Sequence, residues 1–125
     1  MALSSTLSPM VLVVEDEPLL RMHAVDLVEE AGCRAVEAGN ADEAYAILLA
    51  RADIRVVFTD IDMPGSMDGL KLAVLIRERW PPIELIIASG HLSPRDHEVP
   101  VRGRFFAKPF DDRQIVEALQ HFAHK

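Results

Sequence analysis

The sequence is poor in cysteine, in basic residues and in long apolar runs, and each shortage excludes a class of protein. Cys33 is the only cysteine, which excludes an internal disulfide framework and predicts a small core residue in a reducing compartment. Lysine and arginine number 13 against 20 aspartate and glutamate residues, which gives a formal charge of −7. Because nucleic-acid binding usually needs a clustered basic face, this balance argues against a nucleic-acid partner.

Long apolar segments are also missing. No stretch approaches the roughly 18 uninterrupted apolar residues of a membrane span, and no basic helix offers membrane attachment, so no membrane partner is expected. Residues 1–9 lack the basic start and the apolar core of a signal peptide. They are predicted to form a flexible tail. We therefore expect a cytoplasmic protein.

The residues that are present suit one compact domain. Of the 125 residues, 50% are hydrophobic, which is enough for a single core over residues 10–125. Short apolar runs alternate with amphipathic segments, and this order predicts a parallel sheet with right-handed crossovers. The predicted strands are 11–14, 33–38, 54–59, 85–88 and 105–107.

Helix-end signals agree with this alternation. Pro18 suits the first turn of a helix that ends at Gly32, and Asn40 followed by Glu43 resembles a capping box. Asp111 is predicted to cap the last helix. Apolar residues at helical spacing predict helices that pack on one side. They include Leu20, Ala24, Leu27 and Val28 in the first helix, and Leu70, Ala73, Val74 and Ile76 in the third.

Polar side chains stand at the ends of four predicted strands. Glu15 and Asp16 follow the first strand, Asp60 the third, Ser89 the fourth and Lys108 the fifth. A lone aspartate before a loop is more often a turn former or a helix cap than a catalytic group. Parallel strands, however, present their carboxyl ends at one edge, where open α/β sheets bind ligands. We therefore expect these five side chains to lie together.

Together these side chains predict phosphoryl chemistry. Three carboxylates in one crevice repel one another and are unfavourable without a cation; Mg²⁺, which prefers oxygen ligands and often binds a phosphate as well, is the natural partner. Lys108 would supply a fixed positive charge and Ser89 a hydroxyl donor for phosphoryl oxygens. The resulting hypothesis is that Asp60 is a nucleophile that forms an aspartyl phosphate.

Four motifs in order now carry a resemblance to a known family. They are the pair Glu15-Asp16 after the first strand, Asp60 before Ile61-Asp62-Met63-Pro64-Gly65, Ser89, and Lys108-Pro109. On these motifs the chain resembles a response-regulator receiver domain of a two-component system, from roughly Met10 to Phe122. The resemblance implies a doubly wound, flavodoxin-like fold with five parallel strands. It also implies Mg²⁺-dependent phosphorylation of Asp60 by a histidine kinase or histidine phosphotransferase, and signalling to a downstream protein target.

The resemblance also assigns roles to single residues. Asp16 would bind the metal directly, Glu15 through water, and Asp62 through its backbone carbonyl, with Asp60 as phosphorylation site and metal ligand. Ser89 and Phe105 would form a switch that responds to the phosphoryl group, although Phe105 also suits a plain strand residue. Lys108-Pro109 resembles the family's lysine before a proline, often joined by a cis bond.

Two segments depart from the family pattern. Ser66 looks like a one-residue insertion beside the phosphorylation site, which would change the rim and partner choice rather than the chemistry. The stretch 91–100 has two prolines and little amphipathic periodicity, so a shortened or irregular fourth helix and a mobile segment are expected there.

Several alternatives remain open for the function. The chain is expected to be a stand-alone, single-domain regulator, with or without a weak homodimer; the alternative is a receiver fragment of a larger regulator or hybrid kinase. A phosphatase-type enzyme would need a second acid–base residue and a substrate pocket, so catalysis is expected only on its own aspartate. A pseudo-receiver or flavodoxin-like binding module is disfavoured by the intact acid, serine and lysine set and by the absence of a phosphate-binding glycine loop. The five histidines lack ligand-like pairing and are predicted to be solvated.

Overall fold

Five parallel strands form one sheet with helices on both faces. A computed structural model describes residues 8–60, 69–90 and 102–123. The elements are β1 (Met10–Val14), α1 (Pro18–Glu30), β2 (Arg34–Ala38), α2 (Ala41–Ala50), β3 (Ile54–Asp60), α3 (Gly69–Arg79), β4 (Glu84–Ser89), β5 (Gly103–Ala107) and α4 (Asp112–Ala123). The strand order is β2-β1-β3-β4-β5. The predicted doubly wound α/β architecture is therefore confirmed.

The core has two layers because successive residues of the central strands point to opposite faces. Leu12 and Val14 of β1 pack in the layer beneath α2 and α3. Val11 and Val13 of the same strand pack in the layer beneath α1 and α4. Every residue of β1 and β4 is buried, as expected for strands that are covered on both sides.

The helix-end signals act as predicted. The Glu43 backbone N–H donates to Asn40 Oδ1 at 2.8 Å, and the Glu43 carboxylate accepts from the Gly39 N–H at 2.8 Å. Pro18 opens α1, and Gly32 takes the left-handed conformation just beyond the helix, with φ of 83°. Asp111 caps α4 by accepting from the Arg113 N–H at 2.9 Å.

Three local predictions need correction or refinement. Leu20 and Val74 are not buried in their helices but are 49% and 44% exposed, because helical spacing alone does not fix how far an apolar stripe extends beyond the contact with the sheet. Cys33 is buried, as predicted, but it precedes β2 rather than belonging to it.

Several predictions fall outside the described residues. These are the Ser66 insertion, the irregular fourth helix in 91–100, and most of the tail 1–9. Of that tail, Ser8 and Pro9 are described, and their carbonyl oxygens accept hydrogen bonds from Arg34. Within the described ranges, no helix is both long and apolar enough to cross a membrane.

Candidate functional site

The carboxyl ends of the four strands β1, β3, β4 and β5 form the edge where the polar residues meet. The strand register places Val14 beside Thr59, Asp60 beside Ala88, and Ser89 beside Ala107. The polar residues therefore lie at or just after the ends of strands that are neighbours in the sheet. The sheet brings together residues that are up to 93 positions apart in the chain, from Glu15 to Lys108.

Three carboxylates lie close together at this edge. One oxygen from each of Glu15, Asp16 and Asp60 falls within 4.8 Å of the others. Glu15 and Asp60 are only 6% and 7% exposed, whereas Asp16 faces solvent. Burial of two carboxylates so close together is unfavourable unless positive charge or hydrogen bonds compensate them.

Lys108 supplies part of that compensation. Its Nζ donates to Asp60 Oδ2 at 2.8 Å and lies 3.9 Å from Glu15 Oε1. The Lys108 backbone N–H donates to the Ser89 carbonyl oxygen at 2.8 Å, which continues the pairing of β4 with β5. The Lys108–Pro109 peptide bond is cis, as the resemblance implied.

Glu15 shows that the compensation is incomplete. Desolvation raises the pKa of its carboxyl group from 4.5 to about 7, and the charge of Asp60 adds to this effect. The Glu17 N–H, which donates to Glu15 Oε2 at 3.1 Å, and the Lys108 charge act in the opposite direction. The balance leaves a carboxyl group with a pKa of about 7, which ionises near neutral pH rather than in the acid range.

A hard divalent cation fits the residues present. Among the described residues, the candidate ligands are all carboxylate oxygens, and Mg²⁺ prefers oxygen ligands over nitrogen and sulfur. The three carboxylate oxygens are close enough to share one ion or its bound waters. Asp62, the fourth predicted ligand, lies outside the described residues.

The two predicted switch residues occupy neighbouring strands. Ser89 is 1% exposed at the end of β4. Phe105 in β5 pairs with Ile87 in β4. Its side chain is half-buried and packs against the core layer beneath α2 and α3. Phe105 is thus a strand residue with one side in the core, which is compatible with both of its predicted interpretations.

Some residues near the site carried no signal in the sequence. The His23 ring Nε2 and Asp112 Oδ1 are 2.9 Å apart, and this contact joins the first and last helices across 89 positions. Arg21 donates from Nη1 to the Glu15 carbonyl oxygen at 2.9 Å and pairs with Glu37 on β2. His23 is 48% exposed, so it is partly solvated as predicted, but its pairing with Asp112 could be found only from the fold.

Known proteins similar to this chain were found both by sequence and by structure. The family model of the response regulator receiver domain matches residues 11–120. The response regulator receiver protein CpdR of Brucella abortus is 30% identical over 114 residues, which cover 88% of this chain and 92% of CpdR. The nitrogen assimilation regulatory protein NtrX of Azorhizobium caulinodans is 34% identical over 111 residues, which cover 85% of this chain but 24% of NtrX. The chain thus spans about a quarter of NtrX.

Solved structures agree with the sequence matches. A crystal structure of a response regulator receiver protein from Pseudomonas putida superposes on the chain with a TM-score of 0.79 at 28% identity. The superposition covers 91% of this chain and 97% of that protein. The similarity therefore extends over most of the chain.

Proposed function

The chain belongs to the response regulator receiver domain family, and from that premise we propose that it accepts a phosphoryl group on Asp60 in a Mg²⁺-dependent reaction. One observation carries the proposal. Lys108 Nζ donates a hydrogen bond to Asp60 Oδ2 at 2.8 Å, and Asp60 belongs to the cluster of three carboxylates. The proposed nucleophile, a fixed cation and a set of carboxylate oxygens suited to a metal ion therefore lie at one edge of the sheet.

The transfer itself needs little covalent chemistry from the protein. A carboxylate oxygen of Asp60 attacks phosphorus, and the bond from phosphorus to the nitrogen of a phosphohistidine donor breaks with its electron pair on nitrogen. Asp16, Glu15 and the carbonyl of Asp62 would hold the ion together with Asp60. The chemistry that Mg²⁺ supplies when bound is neutralisation of charge on the carboxylates and the phosphoryl oxygens.

Lys108 and Ser89 would act on the phosphoryl oxygens. Lys108 already pairs with Asp60, so its ammonium group needs to move little to contact an oxygen of the new phosphoryl group. The buried Ser89 hydroxyl would donate to another. Movement of Ser89 would disturb the β4–β5 pair, in which Phe105 is half-buried, and would pass the signal to the surface.

The cellular role follows from this chemistry. The proposed phosphodonor is a histidine kinase or histidine phosphotransferase, and the proposed output is contact with a downstream protein in the cytoplasm, without nucleic acid or membrane. Catalysis is limited to phosphorylation and dephosphorylation of its own aspartate. The 92% coverage of CpdR favours a stand-alone regulator, and a weak homodimer is compatible with that role.

A second context is favoured by a different observation. NtrX contains a matching segment within a chain about four times as long, since the match covers 24% of it. The same domain therefore also suits a receiver fragment of a larger regulator or hybrid kinase. The chemistry proposed for Asp60 is the same in either context.

Intact-mass spectrometry after exposure to acetyl phosphate tests the proposal. With Mg²⁺ the protein should gain one labile phosphoryl group, and a chelator should prevent the gain. Asp60→Asn should abolish labelling because the nucleophile is gone. Asp26→Asn, which makes the same change at an exposed position of α1, should label like the parent.

Two results would contradict the proposal. Equal labelling of the parent and Asp60→Asn would reject Asp60 as the acceptor. Labelling that is insensitive to the chelator would reject the metal requirement while leaving the acceptor in place.

A further inference from the structure

A cavity adjoins the carboxylate cluster, and Glu15, Asp60 and Lys108 form one part of its lining. Its volume is about 420 Å³, and it lies between the first half of α1, the sheet and the connection from β5 to α4. Sites for small organic molecules usually measure about 300–1,000 Å³. The cavity is therefore large enough for a ring and a short chain, and much larger than a metal ion needs.

The walls of this cavity are mainly apolar. Leu20 and Ala24 line it from α1, Phe58 from β3, and Pro109 and Phe110 from the connection after β5. The two phenylalanine rings contact each other at 6.3 Å between centroids. Leu20 lines the cavity and is 49% exposed. A hydrophobic body would find contact on several sides.

Acidic groups outnumber basic groups among the described residues that line the cavity. Three carboxylates, from Glu15, Asp60 and Asp112, line it together with the ammonium group of Lys108 and the ring of His23. Lys108 pairs with Asp60 at 2.8 Å, and His23 contacts Asp112 at 2.9 Å. Among the described lining residues, one fixed positive charge therefore faces three acidic groups. An anionic ligand would add to the excess negative charge, whereas a cationic ligand would reduce it.

We propose that this cavity binds a small organic ammonium compound. Its aromatic or aliphatic body would occupy the space between Leu20, Ala24 and the two phenylalanine rings. Its ammonium group would lie at the end lined by Glu15 and Asp60. The apolar walls provide contact area, and the carboxylates select for positive charge.

Such a ligand would oppose Mg²⁺, and this part of the inference rests on the proposed function. The ammonium group and the divalent ion would draw on the same two buried carboxylates, Glu15 and Asp60. Each would therefore weaken binding of the other by the same factor, as linkage requires. An organic cation would thus hold the domain in its unphosphorylated form.

Titration calorimetry with three matched probes tests the charge selectivity. The probes are 2-phenylethylammonium, the neutral isostere 2-phenylethanol and the anion 3-phenylpropanoate. The ammonium compound should bind, and the alcohol should bind about tenfold more weakly because it leaves the carboxylates uncompensated. Equal binding of ammonium and alcohol, or tighter binding of the carboxylate, would overturn the assignment of a cationic ligand.

Two neighbouring leucines of α1 test the location. Leu20 lines the cavity, whereas Leu19 is 73% exposed and is not part of its lining. Leu20→Gln should weaken binding of 2-phenylethylammonium about fivefold through loss of apolar contact, and Leu19→Gln should leave it unchanged. Both side chains face solvent substantially, so both variants should fold. Equal affinities of the two variants would place the probe elsewhere.

The ammonium probe also tests the competition with Mg²⁺. Its apparent Kd should rise as Mg²⁺ is added, and labelling by acetyl phosphate should slow as the probe is added. If Asp60 is labelled normally and no probe binds, the cavity proposal fails and the proposed function stands. If the probe binds but Asp60 is never labelled, the proposed function fails and the ligand site stands.

Discussion

Glu15 is the residue whose chemistry the fold changes most clearly. The residue is 6% exposed, and desolvation raises the pKa of its carboxyl group to about 7. In the unfolded chain the same group has the ordinary value of 4.5. Between these two values the folded protein holds a proton that the unfolded chain has lost. Folding stability must therefore depend on pH through this one residue.

The sign of that dependence gives a testable prediction. Because the folded state binds more protons between pH 4.5 and about 7, the contribution of Glu15 to the free energy of unfolding falls as pH rises through this window. The total loss is about 3 kcal/mol. Glu15→Gln should remove this part of the slope, as measured by urea unfolding at a series of pH values without Mg²⁺.

An exposed glutamate provides the control for this prediction. Glu29→Gln makes the same change on the solvent side of α1 and should keep the slope of the parent. A slope that is the same in Glu15→Gln and in the parent would show that burial of this carboxyl group is not what sets the pH dependence.

Sequence reasoning located most of the candidate site because its residues follow strands directly. Glu15, Asp16, Asp60 and Lys108 meet as the parallel register requires. The pairing of His23 with Asp112 was not predicted, because no local pattern connects positions 89 apart. Which side of α1 faces the sheet is likewise set by tertiary packing, and this is why Leu20 was placed in the core.

At the scale of the element, Gly32 ends α1 in a conformation that other residues adopt only at a cost. Its φ is 83°, and a Cβ at this position would meet nothing within 4 Å. Gly32→Ala should therefore lower the free energy of unfolding by about 1 kcal/mol through backbone strain alone. Asparagine tolerates the left-handed region better, so Gly32→Asn should lose less.

Chemical denaturation of the two variants distinguishes strain from steric overlap. Asparagine is larger than alanine, so a steric cause would make Gly32→Asn the less stable variant. The expected order is parent, then asparagine, then alanine. The reverse order of the two variants would contradict the conformational explanation.

The elements themselves could be predicted from local signals with good accuracy. Asn40 and Asp111 mark helix starts because their side chains accept backbone N–H groups that no helical partner satisfies. The central strands were recognised by short apolar runs. The sequence predicts the depth of burial less well. Val74 and Leu72 both suit a helix, and only the position of the sheet decides that Leu72 is buried.

At the scale of the whole molecule, the formal charge of −7 and the carboxylate cluster should make stability depend on Mg²⁺. An ion that binds only the folded state raises the free energy of unfolding by mass action, by about 2.7 kcal/mol at a hundredfold excess over Kd. Thermal unfolding should therefore shift upward with Mg²⁺. Asp16→Asn should remove most of the shift, and because Asp16 is exposed this variant should remain folded.

Two controls distinguish specific binding of Mg²⁺ from general screening of the protein's negative charge by salt. Sodium chloride at equal ionic strength should raise the Tm much less than Mg²⁺ does. Asp26→Asn removes one negative charge elsewhere on the surface and should keep the full Mg²⁺ shift. A shift of equal size with sodium chloride would mean that no specific ion site exists.

The strand order β2-β1-β3-β4-β5 also bears on how the chain assembles as it is synthesised. β2 pairs on one side of β1 and β3 on the other, and β4 and β5 then add outside β3 in turn. Every new strand meets a free edge of those already made, so none must be inserted between two paired strands. The strands can therefore join the sheet in the order in which the ribosome makes them. Lys108 follows the last strand to be added, and until it arrives Glu15 and Asp60 lack its positive charge.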